Sequence, residues 1–320
     1  MTAGLQQVAI DNEVMLFVAP GASPTITGEG FNQNTVRVCR NSFQDFLAFV
    51  PYASEEIGTT FVQLVADYDF GRASAAASQA VLGSAGFEFA DDILAPLETS
   101  DFTPFLQAAL DTEADALLPI WAGDTTVTLF QQIEELGIND EMVIVAAFNS
   151  NDIVATSDPS TIGNVSWIVY HHSFPETEAN DWMVERHVEL YPNPVTGETD
   201  YPDLFTECGF ATAQAVYQAL TETEGDTLPE TMIPVIEGMV FDGPKGTYYI
   251  RPSDHQALVP MYVAQLDNLD DPEFEFYSLL QEVSAFDTIP PCLLPEDLQD
   301  RCALDEEFLA EVMPEDMGDE

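Results

Sequence analysis

A chain of 320 residues with 46% hydrophobic residues has room for two domains with cores of ordinary size, which excludes an acidic disordered segment as its whole character. Its 57 acidic residues against 7 basic ones give a formal net charge of -50, so nucleic acid and anionic membrane surfaces would repel it. No apolar run reaches the length of about 18 residues that a membrane span needs, and the opening MTAGLQQVAI has neither the basic region nor the long apolar region of a signal peptide.

The hydrophobic pattern predicts a helix over 3–12, a buried strand over 14–19, a loop over 20–30, a strand over 35–39 and an amphipathic helix over 43–57. Next comes the most legible junction, TTFVQLVADYDFGRASAAASQAVLGSAG. A buried strand over 61–66 stops at Asp67-Tyr68-Asp69-Phe70-Gly71, and an Ala-rich helix over 72–82 begins at once. Gly71 permits the tight turn, and small residues let the helix lie close on a sheet. Ligands in open α/β sheets sit past the carboxyl ends of strands, so 67–71 should face a cleft.

The alternation continues with a strand over 87–94, a helix over 103–110, a strand over 116–121 and a helix over 125–136 stopped by Gly137. A strand over 142–147, a short helix near Asp152 and a strand over 165–170 complete the block. Such βα alternation predicts a parallel sheet covered on both faces. Helices follow over 179–191, 204–223 and 228–239, strands over 246–250 and 259–266, and an acidic tail after Asp267; 192–202 reads as a linker.

The acidity has two readings. A carboxylate-rich shell with a single lysine, Lys245, suits adaptation to high salt, which screens self-repulsion. Calcium binding needs carboxylates at ligand spacing around a turn glycine, and no such run occurs, so salt adaptation, or simply an acidic extracytoplasmic proteome, is preferred. Among Cys39, Cys208, Cys292 and Cys302, the last two bracket PPCLLPEDLQDRC and suggest a local disulfide in an oxidising compartment. Cys39 and Cys208 are either a second bridge or two buried small hydrophobes. His171 and His172, consecutive in a strand, should point to opposite faces and not share a metal, although a titrating pair there could tune closure. His255 is read as a structural hydrogen-bonding residue. No nucleophile elbow, phosphate cradle or zinc pair is present, so the chain does not read as an enzyme, and no cofactor or metal is expected.

Three stretches, VAPGASPTITG, ADYDFGRA with ETSDFTPFLQAALDTEADALLPIWAGD, and GTYYIRPSDHQALVPMYVAQL, together resemble the solute-binding proteins of branched-chain amino acid ABC transporters. The resemblance spans roughly residues 3–266. It implies an α/β, two-lobe type I periplasmic-binding-protein fold, with parallel sheets flanked by helices and ligand enclosed between the lobes. The lobes would comprise 1–40 with 173–252 and 41–172 with 253–285, crossing near Arg40, His172 and Pro252, and 286–320 would form an acidic tail. Family members begin with further strands and helices, so the resemblance also implies that the first lobe is incomplete here and prone to aggregate. The implied function is an extracytoplasmic solute-binding subunit of an ABC importer, whose partners are a small organic ligand (amino acid, amide or carboxylate-like) and the permease subunits. A sensor of the same fold without transport is the alternative.

Carried over by position, the loop Gly21-Ala22-Ser23 would offer a backbone N–H and a hydroxyl to a ligand carboxylate, a chemistry that needs no cation. Phe70 would pack on the ligand, and Trp121 with Ala122 would form an apolar wall beside a helix start. Phe148 and Asn149 stand where members that bind α-amino acids carry an acidic residue, and a neutral site holds a buried ammonium poorly. Phe210 corresponds to a family tyrosine near the cleft, with core packing the stronger reading.

Overall fold

In a computed structural model the described residues are 2–53, 57–192, 199–303 and 306–312. The chain opens with α1 (Thr2–Asp11), β1 (Leu16–Val18) and β2 (Thr35–Arg37), and β1 and β2 pair in parallel. Helix α2 (Ser42–Phe49) is started by a reciprocal cap: Asn41 Oδ1 accepts from the Phe43 and Gln44 amides, and Gln44 Oε1 accepts from the Asn41 amide. The helix expected to reach 57 stops at Phe49. Pro51 follows inside a 3-10 turn, where its ring and missing N–H prevent an α-helix from continuing.

The second sheet is parallel: β3 (Thr60–Ala66) lies beside β6 (Ala116–Ile120) on one side and β4 (Glu88–Phe89) and β5 (Ile93–Ala95) on the other, and β7 (Val143–Ile144) is at the edge beyond β6. The segment expected as one strand over 87–94 is thus two short ones, split around Asp91 and Asp92. Period-2 alternation explains why β3 is apolar at nearly every position. Phe61 and Val65 pack with α2 and α3 (Asp69–Ser84), whereas Val62 and Leu64 pack with α4 (Thr103–Leu110) and α5 (Thr126–Glu135). All four side chains are fully buried, each stabilising the fold by about 1.5–3 kcal/mol. Gln63, also buried in β3, is satisfied by Ser78 Oγ and by Asp92.

After α6 (Asn151–Val154) comes β8 (Val165–Ile168), then α7 (Glu178–Leu190), α8 (Thr206–Glu222) and α9 (Pro229–Ile236). A three-stranded antiparallel sheet of β9 (Val240–Gly243), β10 (Gly246–Ile250) and β11 (Ala257–Leu258) packs with β2, α8 and α9 around Val36, Ala215, Ile236 and Tyr248. Another antiparallel sheet joins β8, β12 (Met261–Leu266) and β13 (Tyr277–Val283). Strand β13 corrects the expectation that everything after Asp267 is tail. Its pattern, with Ser278, Leu279, Leu280, Gln281 and Glu282 only partly covered, hides it in the sequence. A last helix, α10 (Glu306–Val312), places Leu309 against Tyr249 and Leu258; 313–320 and most of the 192–202 linker fall outside the described residues.

Both cysteine pairs are within bonding distance: Cys39 Sγ lies 1.97 Å from Cys208 Sγ, and Cys292 Sγ lies 2.03 Å from Cys302 Sγ. Of the seven basic side chains, Arg37, Arg40, Lys245 and Arg251 are buried. The other three, Arg72, Arg186 and Arg301, are each paired with a carboxylate.

Candidate functional site

The loop that follows β1 is held from behind by a buried cation. Arg37 donates from Nε to Gln256 Oε1 (2.6 Å), from Nη1 to the Gly21 and Ser23 carbonyls (3.2 and 2.5 Å) and from Nη2 to Thr27 Oγ1 (2.6 Å). Burial lowers its pKa to about 9, so it remains cationic at neutral pH. Gln256 extends the knot, donating to the Cys39 and Ala257 carbonyls. Nearby, Arg40 bonds Asp45 at 3.1 Å and the Pro20 carbonyl at 3.1 Å.

On its other side the loop meets the turn that follows β3. Ser23 Oγ donates to Asp69 Oδ2 at 2.7 Å, and Thr25 Oγ1 lies 3.0 and 2.9 Å from the two oxygens of the same carboxylate. Asp69 opens α3, where the helix dipole favours a negative group. Two parallel strands from two different sheets therefore end facing each other, each through the turn past its carboxyl end. Ser42 Oγ, 2.7 Å from Ser74 Oγ and 3.3 Å from the Ala22 carbonyl, closes the contact at its side.

The aromatic candidates gather on the same turns. Tyr68 Oη donates to the Ala122 carbonyl at 3.1 Å, and its ring lies 5.8 Å from that of Phe70, which is half-buried. Trp121 is also half-buried, anchored by Nε1 to Thr125 Oγ1 at 3.2 Å and edge-on to Phe102 at 4.9 Å, while Ala122 is exposed. Phe148 and Asn149 open instead onto a cavity of about 480 Å³ between α5, β7, α6 and β8, lined by Phe130, Ile144 and Val165 but by neither the Ser23 loop nor Trp121. Phe210 packs on Trp182 of α7 at 5.7 Å.

The histidines differ from expectation. Their rings lie 4.5 Å apart on one side, because the strand has ended at Ile168 and alternation no longer applies. His171 bonds the Phe274 carbonyl and Ser173, and His172 bonds the Glu273 carbonyl. Burial depresses both, His171 to about 3, so the pair stays neutral and fixes the loop before β13. His255 is fully buried between the Thr35 carbonyl and Glu237. Asp203, ahead of α8, accepts from the Asn151 amide at 2.8 Å, and burial raises it to about 6. Among the described residues no group of His, Cys, Asp and Glu is disposed to hold a metal ion.

The sequence placed 67–71 at a cleft without singling out Tyr68 or Asp69 as contacts, and it did not pick out Thr25. The turn DYDFG was singled out for its position, yet nothing local says that Asp69 meets a hydroxyl 46 residues earlier.

The pattern of the periplasmic binding protein family matches residues 1–271. The chain belongs to that family. A Leu/Ile/Val-binding protein homolog 6 of Brucella melitensis is 24% identical over 244 residues, covering 73% of this chain and 60% of the relative. The chain thus spans about 60% of the length of the curated relatives it matches. Among solved structures, an ABC-type branched-chain amino acid transporter protein of Rhodopseudomonas palustris superposes with TM-score 0.72 at 28% identity, covering 92% of this chain and 78% of that one. A solute binding protein of an ABC transporter from Rhodopseudomonas palustris BisB5, in complex with 3,4-dihydroxy benzoic acid, gives TM-score 0.71 at 20% identity, covering 88% and 74%. This periplasmic binding protein has the type I α/β fold of these neighbours, which are binding proteins of transporters and not enzymes. Among its described residues no helix is long and apolar enough to cross a membrane.

Proposed function

We propose that this chain is the extracytoplasmic solute-binding subunit of an ABC importer, enclosing a small organic solute between two lobes divided near Arg40, His172 and Pro252. The observation that carries the reading is the pair of hydroxyls, Ser23 and Thr25, presented at a strand end and already bonded to a carboxylate, that of Asp69. A loop that accommodates one carboxylate in this way suits the carboxylate or amide end of a ligand. Phe70 and Trp121 would give the apolar body a wall. Phe148 and Asn149 line a separate cavity and would reach a ligand at the Ser23 loop only on closure; carrying no charge, they would then leave an α-ammonium without a partner from that side, which favours a keto acid, an aromatic acid or an amide over a zwitterion. The dihydroxybenzoate complex among the neighbours supports an aromatic acid, whereas the branched-chain amino acid protein makes leucine the ligand to test against. Two disulfides are in keeping with an oxidising compartment. Closure would follow from contacts that the ligand makes to both lobes only when they approach, and permease subunits would read the closed form.

Isothermal titration against leucine, its keto acid 4-methyl-2-oxopentanoate and 4-methylpentanamide tests this. The keto acid or the amide should bind more tightly than leucine, and Trp121→Ala should weaken binding by about 1–3 kcal/mol, the scale of one large apolar contact. Tightest binding to leucine, or no effect of the substitution, would reject this account of the cleft.

A further inference from the structure

We propose that Asp69 is a specificity-determining residue, a tethered carboxylate seated where a ligand's carboxylate would be recognised and competing with it. The inference rests on the reading of the Ser23–Thr25 loop given above. Its basis is a count of protons. A hydroxyl has one hydrogen to donate; Ser23 Oγ lies 2.7 Å from Asp69 Oδ2, and Thr25 Oγ1 lies 3.0 and 2.9 Å from the two Asp69 oxygens. The two hydroxyl oxygens are themselves 2.9 Å apart, so their two hydrogens are divided between Asp69 and the neighbouring hydroxyl, and none is left over. An incoming carboxylate would then meet only lone pairs and, a few ångströms away, a like charge. It can enter only by displacing the Asp69 side chain.

The loop side of this contact is held in place and the carboxylate side is free to move. Ser23 is buried, its carbonyl is held by Arg37, and Asp69 is the first residue of a 16-residue helix packed on the sheet. Asp69 is itself exposed and can swing away without opening the core. The cation nearest in sequence, Arg72, bonds Asp67 and leaves Asp69 to the two hydroxyls. A tethered competitor weakens a ligand by the inverse of the fraction of time it leaves the site free, so Asp69 engaged for about nine-tenths of the time weakens a carboxylate by about ten-fold. A neutral amide, which donates as well as accepts, can share the site with Asp69 and is weakened far less. Asp69 thereby tilts the site away from simple carboxylates and towards ligands with a donor at that end.

Titration of the full chain and of Asp69→Ala and Asp69→Asn with 4-methyl-2-oxopentanoate and 4-methylpentanamide tests the idea. Removing the carboxylate should tighten keto-acid binding by about ten-fold and change amide binding by less than about three-fold, with Asp69→Asn following in the same direction. A ligand-free readout accompanies it: in Asp69→Ala, amide hydrogen exchange should speed up in both 21–28 and 67–75. Equal keto-acid affinity in parent and variants, an equal gain for the amide, or unchanged exchange overturns the competitor role while leaving the proposed function standing. If neither probe binds any of the three proteins, the reading of the cleft fails, and the role of Asp69 fails with it.

Discussion

A Cβ placed on Gly71 would stand 2.0 Å from the carbonyl oxygen of Ala66. Helix α3 thus begins in contact with the strand it leaves, and only a residue without a side chain fits. Gly71→Ala must push the turn outward, and overpacking of this kind costs about 1–3 kcal/mol or more. The midpoint of urea unfolding should fall accordingly. An unchanged midpoint would show that the turn relaxes freely, and with it that Asp69 is not fixed by the strand end.

The Cys39–Cys208 bridge spans 169 residues and ties the end of β2 to the start of α8, whereas Cys292–Cys302 closes only 10. Loop-closure entropy in the unfolded chain gives about 5 kcal/mol for the long bridge and about 3 for the short one. Cys39→Ser with Cys208→Ser should therefore lower the melting temperature more than Cys292→Ser with Cys302→Ser. The reverse order in differential scanning calorimetry would show that the terminal segment contributes more to the fold than its short loop suggests.

The depressed pKa of His171 makes acid a specific stress. Its folded value is about 3 and its ordinary value 6.5, so below 6.5 the unfolded chain binds the extra proton. The stabilisation is complete above 6.5, shrinks as pH falls and is lost near 3. Asp203, raised to about 6, works in the opposite sense, adding stability below its ordinary value and losing it as pH rises through 6. The comparison is therefore between parent and His171→Asn. Between pH 7 and pH 4.5 the parent should lose about 1–3 kcal/mol more than the variant in urea titrations. Parallel pH profiles would mean that His171 takes up its proton in the fold as readily as in the unfolded chain.

Salt should stabilise the chain. Its formal charge is -50, and self-repulsion is screened as the Debye length shrinks from about 30 Å at 0.01 M to about 3 Å at 1 M. The melting temperature should climb across that range of KCl. A flat response would remove salt adaptation as the reason for the acidity.

What the sequence reveals of this fold is what local physics controls. The run 61–66 is apolar on both faces and could only be a strand covered on both sides, and Gly137, at φ 66°, stops α5 as its position implied. β13 stayed hidden because an edge strand half open to solvent needs no clean alternation. The site divides in the same way. Ser23, Phe70 and Trp121 were proposed as ligand contacts from the positions at which the family resemblance sets them. Asp69, Thr25 and the Arg37 knot were not, because each is defined by partners far along the chain, Gln256 lying 219 residues from Arg37.

Lys245 is the only lysine, and it is buried, with Nζ 3.0 Å from the Val169 carbonyl and 5.3 Å from the centre of the Tyr262 ring. The folded surface consequently carries no side-chain amine for acylating reagents, aldehydes or sugars to modify. Amine-directed coupling would reach the Lys245 side chain only once the core around β8 and β12 has opened, so a label mapped to Lys245, as distinct from the α-amine, records unfolding.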